Sequence, residues 1–300
     1  MAKGFAMRVL LAGSSGLIGT ALAQSLERAG HDIVRLVRRP PRVPGEVYWN
    51  VEAGELNRAE LGAVDAVVHL GGRNIAAGRW STQTKGELRS SRVQSTALLV
   101  ETIGEMAQRP RVFVCASAVG IYGDRGDETL GEESAIGSGF LAELGREWEA
   151  TAARAATRVV HARFGVVLSR EGGALAKMLW AFKLGLGGRL GNGQQYMSWI
   201  GLGDAVAVIQ RAIDDEHVQG ALNVVAPEPV QNAAFTRALG RALGRPTPFA
   251  VPALALRIAL GQMADEALLA SQRAVPKKLL DGGFPFADET IEAALARALG

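Results

Sequence analysis

The sequence predicts an α/β protein in which a doubly wound parallel sheet is joined to a smaller, mostly α-helical C-terminal part. Three observations carry that expectation. Strand-length apolar runs alternate with helix-length amphipathic runs over the first 170 residues, the pattern of βα units in a parallel sheet with right-handed crossovers. Glycines at Gly13, Gly16 and Gly19 punctuate the first unit, between an apolar run at 8–12 and a helical pattern reaching Gly30. After Ser169 the alternation yields to glycine- and proline-broken segments.

The glycine turn organises the rest. Residues 8–12 read as a short buried strand, and Leu17, Ile18, Ala21, Leu22 and Leu26 recur at helical spacing. A strand, a tight turn and a helix opening form an anion site, because the first helical N–H groups are unpaired and carry partial positive charge. In Gly13-Ser14-Ser15-Gly16-Leu17-Ile18-Gly19 the glycines allow the turn, the close approach of a pyrophosphate and the packing of helix on strand. The expectation is a dinucleotide site; the alternative is a βα turn without a ligand.

Residues 33–37 read as the second strand. An NAD-binding unit carries an acid at the end of this strand to hold the ribose 2′-hydroxyl. Here the position is Val37, and Arg38 follows. Guanidinium groups bind phosphate through two parallel hydrogen bonds, so Arg38 suits the 2′-phosphate of NADP. The alternative is a solvated pair, Arg38 and Arg39, before a proline loop.

Residues 47–49 form a weak strand, and 65–70 a buried one ending in Gly71-Gly72, where a ligand can approach the backbone. His69 in that run reads as a packed strand residue. A loop at 73–80 leads to a long helix over 87–106. The strand 111–116 runs into Ser117-Ala118-Val119-Gly120-Ile121-Tyr122-Gly123, a small polar turn at the same sheet edge. A charged loop (124–128), a helix (140–155) and a strand (158–168) containing His161 and Arg163 follow. Beyond them come a helix to about Leu184, a five-glycine stretch at 185–193 that reads as a flexible loop or lid, and an aromatic strand at 196–200. Helices at 204–213 and 233–243 flank a strand at 222–225. The expected organisation is a Rossmann-type NADP-binding domain over 7–170 with about 203–226, and a smaller C-terminal substrate or cap domain over 171–202 and 227–300.

Composition narrows the function. With 48% hydrophobic and 21% charged residues the chain suits a soluble globular protein. A net charge of +3 with scattered arginines gives no nucleic-acid surface. No run of 18 apolar residues appears, so no membrane partner is expected. Residues 1–7 read as a short leader rather than a signal peptide. One cysteine, Cys115, excludes an intrachain disulfide and suits a reducing, cytoplasmic compartment. His31, His161 and His217 show no metal-ligand grouping, so no metal is expected.

The glycine turn, the strand-end Arg38 and residues 117–123 together resemble the extended short-chain dehydrogenase/reductases, the NAD-dependent epimerase/dehydratase group. Further stretches resemble its atypical, epimerase-like branch with a C-terminal domain of unknown function. They are Asn74-Ile75, Gly78-Arg79-Trp80, Tyr122-Gly123-Asp124, Gly126-Asp127-Glu128, Trp148-Glu149, Gly165-Val166-Val167-Leu168, Met197-Ser198-Trp199-Ile200, Pro276-Lys277-Lys278-Leu279-Leu280 and Gly283-Phe284. The resemblance covers almost the whole chain from Met7. It implies NADPH as cofactor, with Gly13, Ser14, Gly16, Leu17, Ile18 and Gly19 along the pyrophosphate and Ser15 in the same turn. Val37 and Arg38 would sit at the adenosine ribose, and Leu70, Gly71 and Gly72 at the adenine side. Glu87 and Arg92 lie on the helix that contacts the nucleotide in related proteins, Arg92 where typical members carry an asparagine.

Typical members move a proton with a Tyr-x-x-x-Lys pair, the lysine lowering the tyrosine pKa, while a nearby serine holds the substrate oxygen. Here the expected helix reads Phe140-Leu141-Ala142-Glu143-Leu144-Gly145-Arg146-Glu147, with neither residue. Ser117 lies close to the serine position, although an ungapped alignment puts Ala118 there. Candidate catalytic residues are therefore Ser117, Tyr122 and Asp127, with Tyr122 also readable as a packing residue and Asp127 as part of a solvated loop. The branch usually shows a histidine where this chain has Gly201. Two functions remain open. One is an NADP(H)-dependent, epimerase-like oxidoreductase acting on an unidentified small substrate. The other is an NADP-binding sensor or partner-binding module without turnover. A homodimer through the helices at 87–106 and 140–155 is a further expectation.

Overall fold

In the computed structural model, residues 6–76 and 78–300 are described, so most of the leader expected at 1–7 lies outside the described residues. The first half of the chain forms β1 (Arg8–Ala12), α1 (Leu17–Arg28), β2 (Asp32–Val37), β3 (Glu46–Asn50), β4 (Glu55–Leu56), the single turn α2 (Arg58–Leu61), β5 (Ala66–His69), α3 (Thr82–Glu105), β6 (Val112–Ala118), β7 (Thr129–Leu130), α4 (Phe140–Ala152) and β8 (Arg158–Phe164). Then follow β9 (Val166–Leu168), α5 (Gly173–Lys183), β10 (Gly188–Leu190), β11 (Tyr196–Met197), β12 (Trp199–Gly201), α6 (Leu202–Asp214), β13 (Gly220–Val224), β14 (Val230–Gln231), α7 (Asn232–Ala242), β15 (Phe249–Val251), α8 (Ala253–Leu260), a π-helical segment (Ala264–Leu269), β16 (Arg273–Ala274), α9 (Lys277–Asp281) and α10 (Ile291–Leu299). No helix among the described residues is long and apolar enough to cross a membrane.

Eight strands form one sheet in the order β13-β8-β6-β5-β1-β2-β3-β4, parallel except for the β3–β4 pair. The chain winds outward from β1 to β3, then returns across β1 to β5. Strand order thus reverses between β1 and β5, and their carboxyl ends open the crevice where doubly wound sheets hold ligands. The central strands are buried on both faces, which is why they read as unbroken apolar runs. On one face Val9, Leu11, Val68 and Val114 pack with Leu22 and Leu26 of α1 and Ile209 and Ile213 of α6. On the other, Leu10, Val67 and Phe113 meet Leu99 and Ile103 of α3 and Trp148 of α4. A third core joins α5, α7 and α10 around Trp199.

Several sequence expectations change. Helix α3 starts at Thr82 rather than 87, capped by Ser81, whose Oγ accepts from Thr84 N at 3.1 Å. Its first turn, Thr82-Gln83-Thr84-Lys85-Gly86, has no apolar stripe to reveal it. The strand expected at 158–168 breaks at Gly165, where an added Cβ would stand 2.5 Å from Ser198 O. Strand β9 therefore leaves the main sheet and pairs with β12. The strand expected at 196–200 divides at Ser198, whose Oγ donates to the Gln272 and Ala274 carbonyls. The glycine-rich stretch at 185–193 contains β10, paired in parallel with β15. Its glycines are needed for proximity: added Cβ atoms at Gly187 and Gly188 would stand 2.5 Å from the Phe182 ring and from Phe249 O.

Candidate functional site

The glycine turn sits at the crevice. Gly13 follows β1 with φ +85°, and an added Cβ would lie 2.7 Å from both Gly71 N and Leu70 C. The turn is thus pressed against the end of β5, and only glycine fits in both conformation and space. An added Cβ at Gly19 would overlap the Gly13 carbonyl oxygen, so α1 also packs on the turn without room for a side chain. Gly16 is the N-cap of α1, with no capping side chain and no acid in the first turn. Ser15 and Gly16 are exposed, and Ser14, Leu17 and Ile18 half-buried. The opening N–H groups of α1 are therefore left to an anion.

The two arginines after β2 differ. Arg39 holds Glu46 through Nη1 at 2.8 Å and Nη2 at 2.5 Å, and this pairing keeps the Glu46 carboxyl at a pKa of about 2. Arg38 is exposed and makes no ion pair among the described residues. Val37, just before it, is half-buried.

At the end of β5, His69 is fully buried. Its Nδ1 accepts from Gly71 N at 3.3 Å, so the proton sits on Nε2, which donates to Ser95 Oγ at 2.9 Å. Burial, reinforced by Arg92, pushes its pKa down to about 3. His69 is therefore a neutral strut for the Gly71 turn. Arg92 stacks over Trp148 at 5.2 Å and donates to the Arg73 carbonyl at 3.0 Å. An added Cβ at Gly72 would stand 3.2 Å from its Cζ. Burial lowers the Arg92 pKa to about 10. Glu87, one helical stretch earlier, pairs with Arg73 at 2.7 Å. Arg92 and Glu87 thus both grip the loop leaving β5.

The candidate catalytic residues are not brought together at one open point. Ser117 is 3% exposed and its Oγ donates to Glu149 Oε1 at 2.7 Å, while neighbouring Ala118 is exposed. The strand-end position facing solvent is therefore Ala118. Tyr122 has no exposed surface and donates to Asn223 Oδ1 at 2.7 Å. Burial raises its pKa, so it stays a neutral phenol. Arg163 links the two: Nε and Nη2 grip Glu149 at 2.8 Å, and Nη1 donates to Tyr122 Oη at 2.9 Å. Asp127 is exposed on the loop before β7, outside this network. Cys115 is fully buried, and burial raises its thiol to about 12, an inert core group. Sequence reasoning missed Glu149, Arg163, Asn223 and Glu132 as a connected group, in which the Glu132 carbonyl accepts from Arg163 Nη1 and its Oε1 from Asn223 N, both at 3.1 Å. The available signal was an arginine inside the apolar run of β8.

Gly201, where the branch usually has histidine, is closed by Asp288: an added Cβ would stand 2.6 Å from Asp288 Oδ2. No group of three or more potential metal ligands occurs among the described residues.

Comparison with known proteins agrees with this architecture. Residues 9–225 match the NAD dependent epimerase/dehydratase family, and residues 251–298 match a Domain of unknown function (DUF1731). The chain is 46% identical over 293 residues to Epimerase family protein ML0860 of Mycobacterium leprae, covering 97% of this chain and 95% of that protein. It is similar to the crystal structure of human epimerase family protein SDR39U1 (isoform2) with NADPH, with a TM-score of 0.91 and 36% identity, covering 97% of this chain and 99% of that one. A nucleoside-diphosphate sugar epimerase from Corynebacterium glutamicum is also similar, with a TM-score of 0.81 and 37% identity over 98% of this chain and 58% of that chain.

Proposed function

The chain belongs to the NAD dependent epimerase/dehydratase family, and from that membership we propose that it binds NADPH in the crevice between β1 and β5 and acts as an oxidoreductase-type protein on a small carbonyl or hydroxyl substrate. The observation that carries the cofactor choice is the division of labour after β2. Glu46 occupies Arg39, and Arg38, which makes no ion pair among the described residues, stands beside a strand end that lacks the acid needed for a 2′-hydroxyl. The human relative crystallised with NADPH supports the same choice.

In this reading the backbone from Gly13 to Gly19 and the opening of α1 hold the pyrophosphate. Val37 and Arg38 meet the adenosine ribose and its 2′-phosphate, and Leu70, Gly71 and Gly72 border the adenine. Glu87 and Arg92 shape the loop beyond. Bound NADPH supplies a hydride. The chain's own residues bind and orient the dinucleotide, and the Ser117–Glu149–Arg163 group fixes the end of β6. The dinucleotide belongs to a domain of residues 7–170 with 203–226, and the substrate to residues 171–202 and 227–300. The buried, lone Cys115 suits a cytoplasmic protein.

A second reading, NADPH binding without turnover, is favoured by one specific observation. Helix α4 carries neither tyrosine nor lysine, the Ser117 hydroxyl is committed to Glu149, and Tyr122 is enclosed. Calorimetric titration of nucleotide-stripped protein with NADPH and NADH tests the cofactor: tight NADPH and weak NADH binding is expected, and binding of neither overturns both readings. Loss of NADPH absorbance with a panel of aldehydes and ketones separates the two. Turnover that survives Ser117→Ala, Tyr122→Phe and Asp127→Asn would remove those residues from catalysis, and absence of turnover across the panel favours the second reading.

A further inference from the structure

An open cleft of about 420 Å³ lies at the C-terminal end of α7, where Arg237, Gly240, Arg241, Arg245 and Thr247 line it. No lining residue belongs to the crevice between β1 and β5. The lining holds three arginines and no acid, and the chain from 229 to 264 carries no aspartate or glutamate. Cavities of this size take small molecules.

A tight helix end builds the cleft. Gly244, at φ +62°, lets the chain reverse. Its N–H donates to the Arg241 carbonyl at 3.1 Å, and the Arg245 N–H donates to the Gly240 carbonyl at 2.9 Å, the paired bonds of a glycine-terminated helix. The Leu239 carbonyl accepts from Leu243 N at 3.1 Å. These closing carbonyls have backbone partners and need no arginine. An added Cβ at Gly240 would stand 2.6 Å from Thr247 Cγ2 and 2.8 Å from the Arg245 carbonyl oxygen. The returning chain therefore lies directly on the helix, which holds Arg245 and Thr247 beside Arg237 and Arg241.

Like charges one helical turn apart repel. Arg237 and Arg241 have that spacing, and of the three arginines only Arg241 has a counter-charge, Glu292 of α10 at 2.7 Å. Arg237 and Arg245 make no ion pair and no side-chain hydrogen bond among the described residues. The helix dipole attracts cations over its last turn alone, and Arg237 precedes that turn. Two cations thus lack a partner in a cleft without an acid. We propose that this cleft binds a small anion carrying two linked phosphoryl groups, at a site distinct from the dinucleotide crevice. A guanidinium holds phosphate oxygens in pairs. Arg237 and Arg241 lie about 6 Å apart along the helix axis, with Arg245 beyond them, a row longer than one phosphoryl group. The Thr247 hydroxyl adds a neutral donor.

Inorganic pyrophosphate is the probe, titrated by calorimetry into protein held in excess NADPH. Saturable binding to one site is expected, tighter than that of orthophosphate. Arg237→Ala and Arg245→Ala should each weaken it about tenfold, the scale of one hydrogen bond to a charged group. Glu292→Gln should tighten it, because Arg241 is then no longer shared. NADPH affinity should be unchanged in all three. Absence of pyrophosphate binding overturns the proposal. So does binding that Arg237→Ala and Arg245→Ala leave unchanged, or equal affinity for orthophosphate and sulfate, which makes the row a general anion surface. Pyrophosphate that only displaces NADPH is bound at the glycine turn and overturns it too. A short single-stranded RNA that binds these arginines more tightly than pyrophosphate makes the face a nucleic-acid surface instead. Protein that takes pyrophosphate at these arginines but no NADPH supports the cleft and overturns the cofactor reading.

Discussion

Arg163 and Glu149 face each other as a two-pronged pair, Nε to Oε1 and Nη2 to Oε2, both at 2.8 Å, with side chains only 7% and 11% exposed. The pair ties β8 to α4 and, through Ser117 and Tyr122, to the end of β6. Removing one charge strands the other in a poorly hydrated place. Arg163→Met should therefore destabilise the fold by about 3–5 kcal/mol. The double variant Arg163→Met/Glu149→Leu should recover most of that loss in urea unfolding. A double-variant loss equal to the sum of the two single losses would mean the pair is uncoupled.

Tyr122→Phe isolates a different part of the network. It leaves Asn223 Oδ1 and Arg163 Nη1 each short of one partner. A cost of about 1–3 kcal/mol is expected, with NADPH affinity unchanged. A large loss of affinity without loss of stability would give Tyr122 a direct role at the cofactor.

Arg38→Ala should weaken NADPH binding by about 1.5–3 kcal/mol, the scale of a hydrogen bond to a charged group, and leave NADH unchanged. Arg39→Ala should do the reverse, lowering stability through loss of the Glu46 pair while sparing the NADPH preference. Titration of both variants with both nucleotides decides it. Equal losses for the two arginines would dissolve the distinction.

Gly13→Ala should abolish dinucleotide binding. Its Cβ would meet the Leu70–Gly71 backbone at 2.7 Å, at a φ of +85° that disfavours any side chain. A stability loss of about 1–3 kcal/mol from overpacking should accompany it. Unaltered melting and NADPH titration would show that the turn relaxes away from β5.

His69 sets one limb of the pH dependence. The folded protein keeps it neutral down to about pH 3, whereas the unfolded chain takes up the proton near 6.5. Between those values the unfolded state binds more protons, so stability falls as pH drops, by at most about 1.4 kcal/mol per unit. Glu46, held at about 2 from an ordinary 4.5, works in the same direction but only below 4.5. In His69→Asn the slope of melting temperature between pH 4.5 and 6.5 should flatten, and the limb below 4.5 should remain. An unchanged upper limb would assign it to another group.

The sequence by itself determined the glycine turn, the βα alternation, the missing acid after β2 and the absence of tyrosine and lysine from α4. Each is a matter of local spacing and residue type, and a short window carries all of it. Only the tertiary structure decided which of two adjacent arginines is free, because the choice turns on Glu46 in the neighbouring strand. It also decided that Ser117 turns inward and Ala118 outward, since the pleat sends successive side chains to opposite faces and α4 covers only one. The buried group from Ser117 to Asn223 was illegible for the same reason: its members lie up to about a hundred positions apart, joined by hydrogen bonds that exist only once β6, β8, β13 and α4 are packed. The exposure of Trp180, Leu184, Leu254 and Ile258 was likewise decided only by the fold, in which α8 buries none of its residues.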